Sequence, residues 1–289
     1  MLCLDDLSTG AESNIAHLMS HPKFRLQRQD VTRYIDVAGP VDYVLHFAAP
    51  ASPVDYVGVE TRALEIAALG THNSLGLALA KRAKYLLASS AEFYGDPQVQ
   101  PTPENYWGHV NPVGPRGVYG EARRFPEALT MAYHRYHGLD TRIARIFNTY
   151  GPRMRLNDGC APSNFFAQAL SNRPLEIHGE GKQVRSFCYV SDMTEGIYRL
   201  TINEEHEPVN LGDPQGIEVM GLAKGILAVT GASSEIIFKP LLRDDPKERC
   251  PDISKARRQL NWGPKVNLED GLRLTFEHFR QQAQHTAAK

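Results

Sequence analysis

The chain has 289 residues, 42% of them hydrophobic and 22% charged. This allows one large domain or two moderate ones and lies far from the composition of disordered chains. A chain of this length buries roughly three quarters of its unfolded surface, so neither a metal nor a disulfide is needed to hold it together. With 32 basic and 33 acidic residues and a net charge of −1, a broad nucleic-acid surface is excluded, while a local basic pocket for a phosphate is not.

Residues 1–10 carry Asp5 and Asp6 and no basic stretch, which does not match a signal peptide. No apolar run reaches the roughly 18 residues of a membrane span. Residues 41–49 (VDYVLHFAA) read as a buried strand, 61–82 as a long Ala- and Leu-rich helix, and 85–89 (YLLAS) as a second buried strand. A second long helix over 118–137 and a third strand over 141–147 (TRIARIF) follow. Short apolar strands separated by helices predict parallel pairing through right-handed crossovers. Beyond Tyr150 turn signals cluster at 151–152, 158–159, 179–181 and 213–216. Ser191, Asp192 and Glu195 mark a helix start. Residues 208–212 read as a short strand, Pro251 opens a further helix, and 268–284 form the last one, before a polar tail. The expected organisation is a domain over 1–150 and a smaller one over 151–289, with elements from about 186–212 returning to the first. Cys3, Cys160, Cys188 and Cys250 are far apart and form no CxxC pair. No metal site is expected, and the thiols read as reduced groups of a cytoplasmic protein.

Tyr119 opens the second long helix, about 30 residues after a strand that ends near Ser90. A phenol is a useful base only if its pKa is brought down from about 10. A nearby hydroxyl and a cation one helical turn on can do that, and Ser90 and Arg123 are the candidates. Taken alone, Tyr and Arg at this spacing are more often surface packing.

The surrounding segments are more specific. ASSAEFYGDP (88–97), YWGHVNPVGPR (106–116), ARIFNTYGPRM (144–154), HFAAPASP (46–53), PLEIHGEGKQVRSFCYVSD (174–192) and RCPD (249–252) together resemble the extended short-chain dehydrogenase/reductase superfamily. Within it, the chain is most similar to the UDP-glucuronate decarboxylase (UDP-xylose synthase) family, over essentially its whole length. The resemblance implies an α/β fold: a Rossmann-like doubly wound parallel sheet with a smaller C-terminal substrate-binding domain. It implies bound NAD that oxidises C4 of UDP-glucuronate, loss of CO₂ from the resulting β-keto acid, and return of the hydride to give UDP-xylose. Tyr119 would be the base at the 4-hydroxyl, Ser90 would hydrogen-bond the sugar, Glu92 would work near C5 and the carboxylate, and Arg123 would stand in the catalytic cation's place. Arg185 would hold the diphosphate or the substrate, Asn148, Asn164 and Arg249 would line the nucleotide side, and Arg153 would be a further substrate-binding residue. A diphosphate and a carboxylate call for guanidinium forks and amide donors. Read singly, Asn148 and Asn164 could equally be caps, Arg185 and Arg249 surface charges, and Glu92 a loop carboxylate.

Four departures from the family pattern fall on the cofactor side. The family's opening strand and Gly-rich turn, which brings backbone up to the NAD pyrophosphate, have no counterpart here, so the sheet is expected to be N-terminally incomplete. The YxxxK lysine is Arg123, which keeps the charge but presents a larger planar fork. An asparagine of the active-site set is Ala67. Pro126 falls inside the active-site helix and is expected to kink it. Asp5, Asp30, Val31 and Ala48 match cofactor-side positions, with Asp5 at the adenosine ribose hydroxyls favouring NAD over NADP; Asp5 and Asp6 read equally well as an exposed turn. A truncated start explains only the first departure, and a diverged paralogue explains all four. The expected function is therefore decarboxylase-type lyase chemistry on a UDP-sugar, with NAD binding weak or lost. A related epimerase, dehydratase or non-redox isomerase, and a silent nucleotide-sugar-binding homologue, are the alternatives. The family pattern implies a homodimer through the two long helices, and no nucleic-acid or membrane partner is expected.

Overall fold

The computed structural model describes residues 1–56 and 59–287. Strands β1 (Leu2–Asp5) and β2 (Arg25–Arg28) form a parallel pair of their own. Strands β3 (Tyr43–His46), β4 (Lys84–Ser90) and β5 (Thr141–Ile146) belong to a separate four-stranded parallel sheet, which β10 (Val209–Leu211) completes beside β5. The order is β10-β5-β4-β3. Among the described residues no strand pairs on the free side of β3, and Tyr43, Leu45 and Phe47 are 42–49% exposed there. The parallel sheet is therefore divided between β1 and β3.

Along β4 and β5 the sheet is covered on both faces, and the period of two along its strands sorts the side chains. Tyr85, Leu87 and Ile143 pack with Leu75, Ala78 and Leu129 beneath α3 (Thr71–Lys81) and α4 (Gly117–His137). Leu86 and Ala144 point the other way, onto Met193 and Leu200 of α6 (Val190–Ile202) and Trp262. The long helix expected over 61–82 is not uniform. It follows the short α1 (Pro53–Tyr56) as α2 (Glu60–Glu65), a π-helical turn over Ile66–Gly70, and then α3. A Cβ on Gly70 would come within 2.9 Å of Val31 Cγ2, so the glycine lets the helix approach the loop after β2. Asn73 donates from the same helix to the carbonyls of Val31 and Arg33.

The C-terminal region is built from smaller pieces. Strand β6 (Thr149–Tyr150) pairs with β9 (Cys188–Tyr189), β7 (Leu175–His178) with β12 (Ile236–Lys239), and β8 (Val184–Ser186) lies between β11 (Gly216–Glu218) and β13 (Glu248–Arg249). Helices α5 (Ala161–Leu170), α7 (Val219–Thr230), α8 (Ser254–Leu260) and α9 (Leu268–Ala287) complete it. Its core joins Phe165, Phe166, Leu175, Ile177, Leu222 and Ile226 with Leu272 and Phe279. Pro251 does not open α8, which begins at Ser254; it makes an isolated bridge to Thr102 instead. Asp192 lies in the first turn of α6, as expected, but its carboxylate accepts the Lys265 and Val266 amides and so clasps the approach to α9.

Helix α4 runs through Pro126 as one element and closes on Gly138 in the left-handed region (φ 65°). Pro126 carries no N–H, so the intrahelical bond to the Ala122 carbonyl cannot form. The helix is fixed from its buried side. Glu127 makes a bidentate ion pair with Arg145 of β5 and accepts from Ser89 of β4. Arg145 donates to the Tyr94 hydroxyl, which donates to Asn210 of β10. Three of the four strands are thereby tied to the helix that begins two residues before Tyr119.

Candidate active site

The carboxyl ends of β4 and β5 open into a cleft of about 570 Å³, walled on the far side by α5, β8 and the segments around β13. Tyr119, Ser90, Glu92, Arg123, Asn148, Asn164, Arg185 and Arg249 all line it. Eight positions spread over 160 residues of sequence thus share one cavity.

Strand β4 delivers Ser90, whose Oγ accepts the Glu92 amide (3.3 Å) and caps the tight turn Ala91–Tyr94. Gly95 closes that turn at φ 65°, where a side chain would run into the His109 carbonyl. The turn aims Glu92 into a nest of guanidiniums. Its Oε1 lies 2.6 Å from Arg249 Nη1 and 3.1 Å from Arg116 Nη2. Burial pushes the Glu92 carboxyl up, but Arg249 and Arg116 outweigh it and hold it at about 2. It is therefore a carboxylate at neutral pH and has no proton to donate. Arg116 also meets Asp245 (3.5 Å), and Asp245 reaches Arg185 Nη2 at 3.0 Å. Burial, followed by repulsion from Arg249, pulls the Arg185 guanidinium down to about 10. Three guanidiniums face two carboxylates, which leaves one positive charge in excess. Arg249 Nε is buried without a partner.

Tyr119, in the first turn of α4, donates its hydroxyl to the Ala51 carbonyl at 3.0 Å. Arg123, one turn on and 8% exposed, donates Nη2 to the Pro50 carbonyl (3.2 Å) and lies over the Tyr119 ring, 5.0 Å from its centroid. Its Nε is buried without a partner. Behind it, Arg123, Ala67, Pro126, Ala48 and His46 line one small pocket. Three of the four departures from the family pattern therefore meet at one place. His46 is buried and lies 3.2 Å from Thr71 Oγ1. Burial, then the Arg123 charge, hold its imidazole down at about 4.

Asn148 donates to the Ser186 carbonyl (3.3 Å). Asn164 is no cap: α5 starts from Cys160, and Asn164 is its fourth residue, facing the cleft. Arg153 does not line the cleft; it donates to the Asn14 carbonyl and ties the N-terminal segment to the second half. Asp5 caps its own turn through the Leu7 amide (2.7 Å). Asp30 accepts from Thr32 and pairs with Arg62 at 2.7 Å, and these contacts hold its carboxyl at about 2 against the upward push of burial. Val31 packs beside Gly70. Ala48 borders the small pocket, whereas Asp5, Asp30 and Val31 lie outside both cavities.

Sequence reasoning missed Arg116 and Asp245. Arg116 stood inside the specific segment 106–116, three residues before Tyr119, and helical spacing could have placed it beside the site. Asp245 carried no such signal, since Asp244-Asp245-Pro246 reads as an ordinary polar turn.

Residues 2–212 match the model of the NAD dependent epimerase/dehydratase family. The chain is 46% identical to UDP-glucuronic acid decarboxylase 1 of Arabidopsis thaliana, over 98% of this chain and 64% of that protein. It is 45% identical to decarboxylase 5 of the same plant, over 97% of this chain and 82% of that protein. The chain thus spans between about two thirds and four fifths of these relatives. Among solved structures, UDP-glucose 4-epimerase of Thermotoga maritima with UDP-glucose superposes with a TM-score of 0.87 at 26% identity, over 98% of this chain and 91% of the other. The dTDP-glucose 4,6-dehydratase DesIV of Streptomyces venezuelae, with NAD bound, shares the fold at a TM-score of 0.88 and 24% identity, over 98% and 88%. Taken with the cleft at the carboxyl ends of a parallel sheet, these matches show that the chain belongs to the NAD-dependent epimerase/dehydratase family.

Proposed function

We propose that the chain is a UDP-glucuronate decarboxylase that forms UDP-xylose. The observation that carries this reading is the cluster of Arg116, Arg185 and Arg249 across the cleft from Tyr119 and Ser90. A ligand bearing both a diphosphate and a carboxylate suits an excess of buried guanidinium charge. The decarboxylases named above, at 45–46% identity, support it.

The chain's own groups divide the work. Tyr119, after giving up to solvent the proton it donates to the Ala51 carbonyl, turns as the phenolate to the sugar 4-hydroxyl and takes its proton, while Ser90 orients that hydroxyl. Arg123 keeps a fixed positive charge against the Tyr119 ring. Asp5 and Asp30 would hold the adenosine end of NAD, which would supply the hydride acceptor, and later the donor, for C4. The C4 ketone lies β to the C6 carboxylate, so the C5–C6 bond breaks with its electrons passing into the ketone as an enolate. A solvent proton at C5, hydride return to C4 and return of the Tyr119 proton to O4 would complete UDP-xylose. Glu92, ionised and clasped by Arg249 and Arg116, positions those two guanidiniums rather than donating a proton.

The described residues fit the adenosine end of NAD in part: Asp5 and Asp30 lie at the carboxyl ends of neighbouring parallel strands. At the nicotinamide end Arg123 is engaged with the Pro50 carbonyl. This favours a weakly retained cofactor, and with it a second reading, a homologue that binds nucleotide sugar without turning it over. The test is to incubate the purified chain with UDP-glucuronate, with and without NAD, and follow the sugar nucleotide by mass. Loss of CO₂ only with NAD is the expected result; an unchanged mass in both samples, with UDP-glucuronate still bound, would leave the silent reading.

Two coarser features accompany this proposal. Leu64, Leu79, Phe125 and Tyr136 are exposed on α2, α3 and α4, which favours a homodimer through these helices; a monomeric mass by light scattering would refute it. Among the described residues no helix is long and apolar enough to cross a membrane. All four cysteines are free, which supports a reducing, cytoplasmic setting.

A further inference from the structure

The segment 240–247 between β12 and β13 crosses the mouth of the cleft with Leu241, Leu242, Arg243 and Asp244 exposed. Asp244 takes φ 60°, in the left-handed region, and accepts from Asn111 at 3.3 Å. The next carboxylate points inward. Asp245 Oδ2 lies 3.0 Å from Arg185 Nη2 and Oδ1 lies 3.5 Å from Arg116 Nη1. Two oxygens on one centre, each on a different guanidinium, is the contact that a phosphate group makes with a pair of arginines.

We propose that Asp245 is a built-in stand-in for a phosphate: it occupies Arg116 and Arg185 while the cleft is empty and is displaced, with its segment, by the diphosphate of the incoming ligand. The inference rests on the nucleotide-sugar reading above and adds a residue that governs affinity and access. Charge supports it. The cluster has one positive charge in excess, and a diphosphate seated beside both Glu92 and Asp245 would be surrounded by like charge. One carboxylate has to yield. Glu92 sits on a tight turn against Arg249, which is 3% exposed, and cannot leave without stranding a buried cation. Asp245 follows a stretch, 241–244, that is exposed and held by the weak Asn111–Asp244 contact and the bond from the Asp245 amide to the Leu242 carbonyl (3.3 Å), while the ends of the segment are anchored: His178 meets the Pro240 carbonyl, the Lys247 amide donates to Asp96, and the Lys247 carbonyl accepts from Val184. Holding the forks in place before the ligand arrives also keeps the buried Arg185 and the half-buried Arg116 satisfied, and competition for them lowers apparent affinity.

Calorimetric titration of inorganic diphosphate and of UDP into the wild-type chain and Asp245→Asn tests this. The amide keeps the size of the side chain and removes its charge. Tighter binding of both ligands to the variant, by about tenfold, is expected. Unchanged or weaker binding overturns the proposal and makes Asp245 a group that only positions the arginines. A second readout needs no variant: in the wild-type chain, diphosphate should speed amide hydrogen exchange over 241–245, and slowed or unchanged exchange there overturns displacement. If diphosphate binds but UDP does not, the nucleotide-sugar reading fails while the diphosphate arm still decides the role of Asp245. If neither ligand binds, both fail.

Discussion

The two sides of the cleft are finished to different degrees. The substrate side is locked: Glu92, Arg249, Arg116, Asp245 and Arg185 form a continuous chain of ion pairs. The cofactor side is more open: among the described residues the sheet stops at β3 with Tyr43, Leu45 and Phe47 exposed, and the Asp5 carboxylate accepts the Leu7 amide of its own turn. Buried charge explains the contrast. Carboxylates pair the guanidiniums of the cluster and fix its geometry before any ligand arrives, whereas the equally buried Arg123 meets the Pro50 carbonyl with its Nε left over. A strand edge and a lone acid at a strand end remain solvated and are under no such compulsion.

Perturbations should therefore separate the two sides. The largest loss is expected at the shared reacting group: Tyr119→Phe should lower turnover by about 10³-fold and leave the calorimetric affinity for UDP-glucuronate intact. If activity persists, another group is the base. On the locked side, Arg249→Ala should destabilise the fold by about 3–5 kcal/mol, because it leaves the Glu92 carboxylate less compensated in a buried site. Urea denaturation measures this, and a near-neutral result would mean that the cluster is solvated.

A smaller effect is expected from pH. His46 has its folded-state value depressed to about 4, from 6.5, by burial and then by Arg123. Between those values the unfolded chain takes up a proton that the folded chain refuses, so stability falls as pH drops from 6.5 to 4. The loss is on the order of 3 kcal/mol. A His46→Asn variant should flatten the stability profile across that window. Glu92 acts lower on the scale: its contribution is present above about pH 4.5 and is lost as pH falls towards 2.

The smallest change sharpens the comparison on the open side. Arg123→Lys alone should improve NAD affinity by a fewfold, and Arg123→Lys with Ala67→Asn by about tenfold, because the two positions line one pocket and should couple. Equilibrium dialysis of NAD reads both. Purely additive effects would mean that Ala67 and Arg123 changed independently.

Much of the layout was legible. The alternation that placed Tyr85, Leu87 and Ile143 on one face and Leu86 and Ala144 on the other is a local property, and so are the helix around Tyr119 and the acidic start of α6. The site residues with strong local context, Ser90, Glu92, Tyr119 and Arg123, do share a cavity. The role of Glu92 was not legible, because ionisation there depends on Arg249, more than 150 residues away, and on Arg116. Arg153 was placed on the substrate side; its guanidinium donates to the Asn14 carbonyl and is not among the residues that line the cleft, a contact with a residue nearly 140 positions away that local sequence does not show. The π-helical turn at Ile66–Gly70 was equally hidden, since it reflects packing against Val31 rather than helix propensity.

By itself the sequence determined the family, the parallel α/β plan and the placement of the reactive tyrosine one turn before a cation. These follow from periodicity and from segments in which neighbouring residues act together. Only the tertiary structure decided that the sheet divides between β1 and β3, that Ala67, Arg123 and Pro126 meet around one pocket, and that Asp245 closes the arginine cluster. Each of these depends on groups distant in sequence that meet only when burial forces charges to be paired and side chains to be packed.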